Sequence, residues 1–287
     1  MFNISLSPPQ IEFVLKPGIT LTQAYQITNN SPESVTLNTE VLPFLPQGDN
    51  GSVSYSSLLA NPNISFSLNN ADLKLGQPFT LAPLESRQLV LKIKTSPETE
   101  MSDYYSTFFV YQSAELSAND TTISQSIGKI GSHILLSVSN TEFPKIEAQI
   151  KNFSITPKIK DVLFTPLNFS AQIQNNTNYF FKSLGTITVS KNQKTIKQFS
   201  LDSQNVLANH NRSLLCENQT KCVLSPPLWP GKYTATLELD PNLNVPPASF
   251  SFWIFPLSPI AFVLSIIFLI YSFRWLKTKL IKKQTLP

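Results

Sequence analysis

Hydrophobic and polar positions alternate along this chain in short runs separated by proline and asparagine turns. In residues 79–94, FTLAPLESRQLVLKIK, a polar turn precedes a run in which Leu89, Leu91 and Ile93 occupy every second position. Strict alternation predicts a β-strand with one buried and one solvated face. The stretch carries no candidate catalytic group, so we interpret it as part of a scaffold.

Further runs of the same kind fill the first half of the chain. Residues 11–45 contain two alternating runs joined by TNNSPES, whose Asn, Ser and Pro residues favour a turn. The aromatic run SDYYSTFFVYQS and the run GSHILLSVS follow, and the latter ends at Ser139. Short strands with turn signals at this spacing predict a β-sandwich.

The second half repeats the order of these elements. An Asn-Asn-Thr turn, the run NVLANHNRSLL and the run PPLWPGKYTATLELD stand where their counterparts stand in the first half. We therefore predict an all-β chain of two immunoglobulin-like antiparallel β-sandwiches, residues 1–139 and 140–250, with a junction at 140–152. Since every antiparallel sandwich alternates in this way, the repeat has a generic explanation as well.

An uncharged apolar segment, Phe252 to Phe273, follows the second predicted sandwich. It is long enough to cross a bilayer as a helix, which takes about 20 residues, and we predict a C-terminal transmembrane helix at 251–274. A buried core helix is the alternative. Four residues are predicted membrane-interface anchors: Trp253, Trp275, Arg274 and Lys277.

Charge near the C-terminus predicts the orientation of this helix. Residues 274–283 contain five basic and no acidic residues, so the positive-inside rule places the tail, 275–287, in the cytoplasm. The protein would then be a single-pass plasma-membrane protein with extracytoplasmic N-terminal domains. The reverse topology, a tail-anchored protein facing the cytoplasm, would have to translocate the basic tail. Because MFNISLSPPQ lacks the features of a signal peptide, we expect the true start to lie upstream of Met1.

The formal net charge of +4, from 22 basic and 18 acidic residues, comes from the same tail. Without the five basic residues of the tail, the chain has 17 basic and 18 acidic residues. A basic patch on a folded domain is therefore not indicated, and we predict no nucleic-acid partner.

The two cysteines, Cys216 and Cys222, stand in CENQTKC. This spacing permits a small disulfide loop in an oxidising compartment. A metal site would need further Cys or His ligands at zinc spacing. Two unpaired buried thiols are the third interpretation.

No recognisable catalytic arrangement occurs in the sequence. His133 and His210 are the only histidines, they lie in different predicted domains, and neither has a partner at metal-ligand spacing. There is no phosphate-binding glycine loop and no nucleophile elbow. We therefore predict a protein that is not an enzyme and that has no catalytic residue, cofactor or metal.

Aromatic side chains on the solvated face of a sandwich are natural anchors for glycan or protein ligands. Six aromatic residues are candidates for such contacts: Tyr104, Tyr105, Phe109, Tyr111, Trp229 and Tyr233. The alternative is that they are ordinary core and cross-strand aromatics, because alternation sends half of them inward.

The first half, with LSPPQIEFVLKPGITLTQAYQITNNSPESVTLNTEV and FTLAPLESRQLVLKIKTSPETEMSDYYSTFFVY, resembles the N-terminal domain of bacterial WxL-interacting surface proteins. That domain is in turn similar to pilus chaperones and other immunoglobulin-like folds. GTITVSKNQKTIKQFSL and PGKYTATLEL resemble the second domain of the same family. The resemblance implies a first domain that binds peptidoglycan and a second that binds host or matrix ligands. The Cys216 to Cys222 loop departs from the family pattern as an insertion.

These observations predict a membrane-anchored cell-surface protein whose sandwiches bind cell-wall polymer or another surface protein. Two alternatives remain open. One is a chaperone-like assembly factor that uses a free sheet edge. The other is an accessory subunit of a membrane complex, for which the seven-residue spacing of Ser258, Ser265 and Ser272 indicates helix pairing. The oligomeric state is not predicted.

Overall fold

A computed structural model describes residues 3–112, 128–158, 160–163 and 165–284. These residues form β-sheets, in which most strands are antiparallel, and one C-terminal helix, which confirms the predicted all-β fold class with a terminal helix. Contacts between residues divide the chain into two compact units. Unit 1 comprises Met1–Ile146, Asn175–Phe181 and Leu207–Asn211, and unit 2 comprises Glu147–Gln174, Lys182–Val206 and Arg212–Pro287.

The part of the chain before Ile146 consists of β-strands and, in the described residues, a single 3₁₀ turn, Ser57–Leu59. The strands are β1 (Ile4–Ser7), β2 (Gln10–Leu15), β3 (Thr20–Asn29), β4 (Val35–Gln47), β5 (Ser52–Tyr55), β6 (Ile64–Leu68), β7 (Phe79–Leu81), β8 (Ser86–Thr95), β9 (Asp103–Gln112) and β10 (Lys129–Val138).

Two sheets make up this sandwich. One has the strand order β1-β3-β8-β6, and the other has the order β2-β10-β9-β4-β5, with β7 also paired to β4. Pro8 and Pro9 separate β1 from β2, and these two strands belong to different sheets. Proline cannot continue a ladder because it has no N–H. A first strand shared between the sheets, with β2 parallel to β10, defines an immunoglobulin-like arrangement.

The core of this sandwich is the one that alternation predicts. Leu89, Leu91 and Ile93 on β8 are fully buried. They face Phe108 on the opposite sheet, whose ring centroid lies 5.0 Å from that of Tyr25. The long strands β3, β8 and β9 therefore each give one apolar face to the space between the sheets.

The strands after Ile146 form a second set of sheets. They are β11 (Ala148–Thr156), β12 (Leu167–Asn175), β13 (Phe181–Lys182), β14 (Gly185–Lys191), β15 (Lys194–Ser200), β16 (Asn205–Val206), β17 (Asn211–Leu214), β18 (Cys222–Leu224), β19 (Gly231–Leu239) and β20 (Ala248–Ile254), with 3₁₀ turns at Glu217–Gln219 and Pro241–Leu243. One sheet has the order β11-β12-β17, with β18 also on β12, a second has the order β15-β14-β19-β20, and β13 pairs with β16 in a two-stranded sheet.

Unit 2 ends in α1 (Leu257–Gln284), which in its described part is long and apolar enough to span a membrane over residues 257–274. Its start differs from the sequence-based boundary at residue 251. Phe252, Trp253 and Ile254 pair with β19 and belong to β20, so the sheet contains the first part of the apolar run. Pro256 cannot donate to a ladder, and the strand ends before it.

Candidate functional site

The aromatic candidates of unit 1 lie on two faces of β9. Tyr105 is only 8 % exposed, whereas Tyr104, Phe109 and Tyr111 are partly exposed. Tyr105, Phe109 and Tyr111 share the face turned away from the core, and Tyr104 packs against the core. Because Tyr105 is covered, it cannot act as a surface contact, which corrects that expectation.

Phe44 and Tyr55 join this face, and neither was predicted as a site residue. The ring of Phe44 lies 5.7 Å from that of Tyr105 and 5.9 Å from that of Tyr55, and Tyr55 lies 5.2 Å from Phe109. We call these four rings, with Tyr111, the outer aromatic face. Such contacts form a continuous cluster of rings across β5, β4 and β9, in which Phe44 and Tyr105 are buried and Tyr55, Phe109 and Tyr111 are at least partly exposed.

A glycine allows Phe109 to lie flat on the sheet. A Cβ atom added at Gly131 would lie 2.8 Å from the ring of Phe109 and 2.6 Å from Thr107 Cγ2. Lys129 lies on β10 with Gly131, and its Nζ atom is 3.9 Å from the centroid of the Phe109 ring. Lys129 also forms a salt bridge with Glu40. The ring is therefore held between a glycine and a cation.

A partly buried carboxylate lies at the other end of this face. Asp103 accepts hydrogen bonds from Tyr105 Oη at 2.7 Å, from Ser137 Oγ at 2.5 Å and from the backbone N–H of Phe180 at 2.5 Å. Tyr105 Oη in turn accepts a hydrogen bond from the backbone N–H of Ala208 at 2.8 Å. Burial raises the pKa of Asp103 to about 6, and the three donors oppose that shift.

The two histidines have ordinary structural partners. The imidazole Nδ1 of His133 lies 2.8 Å from Thr107 Oγ1, and burial lowers the pKa of His133. His210 Nε2 lies 2.5 Å from the carbonyl oxygen of Gly48. Across the described ranges, no three His, Cys, Asp or Glu side chains come together as metal ligands.

A cavity of about 460 Å³ opens in unit 1 beside the 3₁₀ turn Ser57–Leu59. Its wall is mostly apolar and comes from β4, β6, β9 and β10, from residues 59–61, and from Ala208 and His210. Its lining includes Val41, Pro43, Phe44, Leu45, Leu59, Ala60, Ile64, Phe66, Tyr104, Ile134 and Leu136. A volume of this size accommodates several apolar side chains.

Strand β6 forms one wall of this cavity and one edge of its sheet. Asn63 O accepts from Ser96 N at 2.8 Å, and Asn69 N donates to Val90 O at 2.8 Å, so residues 63 and 69 turn their backbone groups toward β8. In an antiparallel pair these directions alternate. The backbone groups of residues 64, 66 and 68 therefore point away from β8.

None of the strands assigned in the described ranges pairs with this outer side of β6. Ser65 and Ser67 are exposed, and the strand, ISFSL, contains no charged residue and no proline. Natural sheet edges are usually protected by charge, proline or bulges. Strand β6 has none of these protections, although it is short.

In unit 2 the two aromatic candidates differ. Trp229 is 80 % exposed, whereas Tyr233 is only 2 % exposed and donates a hydrogen bond from Oη to Trp229 O at 2.7 Å. Tyr233 stacks on Phe252 in the core, so it is not a surface contact. Cys216 and Cys222 form a disulfide with their Cα atoms 5.2 Å apart.

The predicted interface residues lie on two elements. Trp253 is in β20 and is half exposed, and Arg274 is exposed on α1. Trp275 and Lys277 also belong to α1, but their side chains lie outside the described part.

Two of the serines at seven-residue spacing have hydrogen-bond partners. Ser265 Oγ donates to Phe262 O at 2.7 Å, and Ser258 is bonded to Asp161. Helix pairing through the serine spacing stays a prediction.

The strand order defines immunoglobulin-like β-sandwich architecture with one apolar C-terminal helix. Neither a family model nor a curated protein matches the sequence. Membership of the WxL-interacting family therefore stays a prediction.

Several solved structures are similar in chain trace, and they include pilus chaperones. The CsuC–CsuE chaperone–adhesin complex of Acinetobacter baumannii shares 10 % identity over 88 % of this chain and 98 % of that one, with a TM-score of 0.39. The E. coli chaperone DraB shares 12 % identity over 88 % and 95 %, with a TM-score of 0.39. The class 5 fimbriae chaperone CfaA shares 11 % identity over 88 % and 100 %, with a TM-score of 0.42.

Proposed function

We propose that the chain is a non-enzymatic, membrane-anchored protein that binds another surface protein by adding a strand to β6. The observation that carries this proposal is the adjacency of an unprotected sheet edge and an apolar cavity. Phe66 contributes to both, because its backbone points outward and its side chain lines the cavity. An edge gives backbone affinity and a pocket gives side-chain specificity, which is the basis of strand addition.

The partner would supply an extended segment with an apolar residue at every second position. Its backbone would pair with the outward N–H and C=O groups of Phe66 and Leu68. Its apolar side chains would enter the cavity beside Ile64. Each fully buried Leu or Val side chain contributes about 1.5–3 kcal/mol, which offsets part of the free-energy cost of association.

The helix gives the anchor in this proposal. Helix α1 would span the plasma membrane with its basic end in the cytoplasm, and both units would lie outside. Tethering at the membrane raises the effective concentration of the sandwiches toward partners on the same surface. If the partner were a protein whose sheet lacks a strand, the same edge of β6 would serve a chaperone-like assembly function. If the chain were an accessory subunit of a membrane complex, α1 would instead form the contact with the complex.

A peptide-binding experiment on the full chain in detergent tests the proposal. The probes are synthetic nine-residue peptides in which Val or Leu alternates with Thr, with a scrambled peptide of equal composition as control. Hydrogen exchange followed by mass spectrometry reports protection of the outward backbone amides of Phe66 and Leu68. We expect protection with the alternating peptides only.

Two variants beside the cavity sharpen this test. Ala60 is exposed and lines the cavity, so Ala60→Phe places a ring at its mouth. Leu58 is 94 % exposed and does not line it, so Leu58→Phe is a matched control. We expect A60F to lose the protection and L58F to keep it. Equal protection in A60F and the parent chain would contradict the use of the cavity, and no protection by any peptide would contradict the proposal.

The outer aromatic face favours a second candidate function, the binding of cell-wall polymer. Tyr55 and Tyr111 are partly exposed and flank Phe109, and sugar rings stack on such surfaces. Cosedimentation of the full chain with isolated sacculi tests this function. Tyr111→Ala should reduce binding, whereas Trp229→Ala removes an exposed ring in unit 2 and serves as control. Unchanged binding in Y111A would remove the outer aromatic face from consideration.

A further inference from the structure

Large apolar side chains are exposed at one end of unit 2. Trp229 is 80 % exposed, Trp253 55 %, Phe255 48 % and Leu163 42 %. Trp253 and Phe255 stack, with ring centroids 6.4 Å apart. Four large exposed apolar residues at one end of a small sandwich indicate a contact surface.

Backbone hydrogen bonds bring these residues together from three chain segments. Phe255 N donates to Lys160 O at 2.9 Å, and Val162 N donates to Phe255 O at 3.1 Å. Leu228 N donates to Val162 O at 2.8 Å, which adds the segment that carries Trp229. We call Leu163, Trp229, Trp253 and Phe255 the apolar collar.

The collar leads along the chain into the start of α1, and a buried carboxylate caps that start. Asp161 accepts from the backbone N–H of Ser258 at 2.7 Å and from Ser258 Oγ at 2.5 Å. A carboxylate at a helix N-terminus satisfies a free N–H and interacts favourably with the helix dipole. Because Asp161 lies in the same segment as Leu163 of the collar, hydrogen bonds as well as the covalent chain connect the collar to the helix.

We propose that the apolar collar lies in the headgroup region of the bilayer that α1 crosses, which rests on the membrane anchorage proposed above. The collar is continuous with the apolar helix, since Phe255 lies two residues before Leu257. Tryptophan is enriched at the interface between hydrocarbon and water, and phenylalanine and leucine join it on the lipid-facing side of segments that lie in that interface. The sandwich is thus held against the lipid surface instead of moving freely on a linker.

The charges at this end suit an anionic lipid surface. Lys232 pairs across the sheet with Trp253, and Lys191 Nζ donates to Pro230 O at 2.8 Å, next to Trp229. Asp161, whose carboxylate faces the helix at this end, accepts a hydrogen bond from Ser258. Lysine near a membrane surface attracts anionic headgroups.

Depth-dependent quenching of single tryptophans tests the collar. The full chain has three tryptophans, so Trp253→Phe with Trp275→Phe leaves Trp229 as the reporter. The chain is reconstituted into phosphatidylcholine–phosphatidylglycerol vesicles, with or without bromine on the lipid chains near the headgroups. Carbonate-resistant flotation with the vesicles reports insertion of α1 separately.

A control tryptophan comes from the opposite end of the same sheet. Leu184 is 42 % exposed next to Gly185, which pairs with Leu239, whereas the collar lies near Gly231. These ends of β19 are about 26 Å apart at roughly 3.3 Å per residue. Leu184→Trp, made in a chain with the three native tryptophans changed to Phe, gives the control reporter.

We expect Trp229 to lose emission with brominated lipid and to emit at shorter wavelength, while the L184W reporter does neither. A chain that floats with the vesicles but whose Trp229 is not quenched would overturn the collar and leave the anchor intact. Equal quenching of both reporters would also overturn it. A chain that does not float would overturn the collar and the anchorage together.

Discussion

The partly buried carboxylate of Asp103 should make the stability of unit 1 depend on pH, and Asp103→Asn should remove that dependence. Asp103 is held by Tyr105, Ser137 and the backbone of Phe180. Burial raises its pKa from 3.8 to about 6 despite these donors. Asparagine keeps the shape and an acceptor oxygen but does not titrate in this range.

The direction and the size of the pH effect on the free energy of unfolding follow from the linkage between proton binding and folding. Because the folded-state pKa lies above the unfolded one, the folded state binds the proton more tightly, and unit 1 gains stability as the pH falls through about 6. The gain is complete below 3.8 and amounts to about 3 kcal/mol, at 1.36 kcal/mol for each pH unit of difference. Between pH 7.5 and pH 5 the expected part is about 1.4 kcal/mol.

The assay must report on unit 1 alone. The three tryptophans, Trp229, Trp253 and Trp275, are outside unit 1, so their fluorescence does not serve. Native-state hydrogen exchange of the buried amides of Leu89 and Leu91 does, after correction for the intrinsic pH dependence of exchange. The difference between the parent chain and D103N isolates this carboxyl from others that titrate.

Equal pH slopes in the two chains would refute the reasoning. A carboxyl carbon resonance of Asp103 that titrates at or below 4 would do the same, because it would mean that the three donors outweigh burial. Ser137→Ala gives a further check, since loss of one donor should move the titration of Asp103 to higher pH.

Three other perturbations have defined outcomes. Gly131→Ala should displace the Phe109 ring and destabilise unit 1 by about 1–3 kcal/mol, measured by exchange of core amides, whereas no loss would mean that the ring moves freely. Replacing Cys216 and Cys222 with Ala should cost unit 2 about 2 kcal/mol for so short a loop, measured by urea unfolding followed by tryptophan fluorescence, and unchanged stability would contradict it. Asp161→Ala should cost about 1 kcal/mol and increase proteolysis just before α1, and an unchanged cleavage rate would argue against the cap.

Much of the fold could be predicted because it depends on local patterns. Leu89, Leu91 and Ile93 are buried as their alternation indicates, since strand side chains point to opposite faces whatever the topology. The run TNNSPES forms the turn between β3 and β4. Its Asn29 bonds to Glu33 O at 2.8 Å and to Ala82 O at 2.9 Å, and only the first of these partners is near in sequence.

The candidate sites depended on register, which local patterns do not contain. Phe44 meets Tyr105 because β4 pairs with β9 in the register that sets Pro43 opposite Ser106, and a shift by one residue would turn Phe44 inward. Tyr105 was expected on a wet face, but other parts of unit 1, including Ala208, cover it. Single runs of sequence do not show which face later segments will cover.

The apolar run at Phe252 shows the same limit for the helix. Hydrophobicity alone does not separate a buried strand from the start of a membrane helix, and the pairing of β20 with β19 decides it. Trp253, which was predicted in the helix, therefore lies at the end of the sheet that precedes it. Because β6 lies in unit 1 and the apolar collar in unit 2, Ala60→Phe leaves the hydrogen bonds around Ser258 untouched. Loss of peptide binding with unchanged lipid quenching would therefore assign partner recognition to the first sandwich and membrane contact to the second.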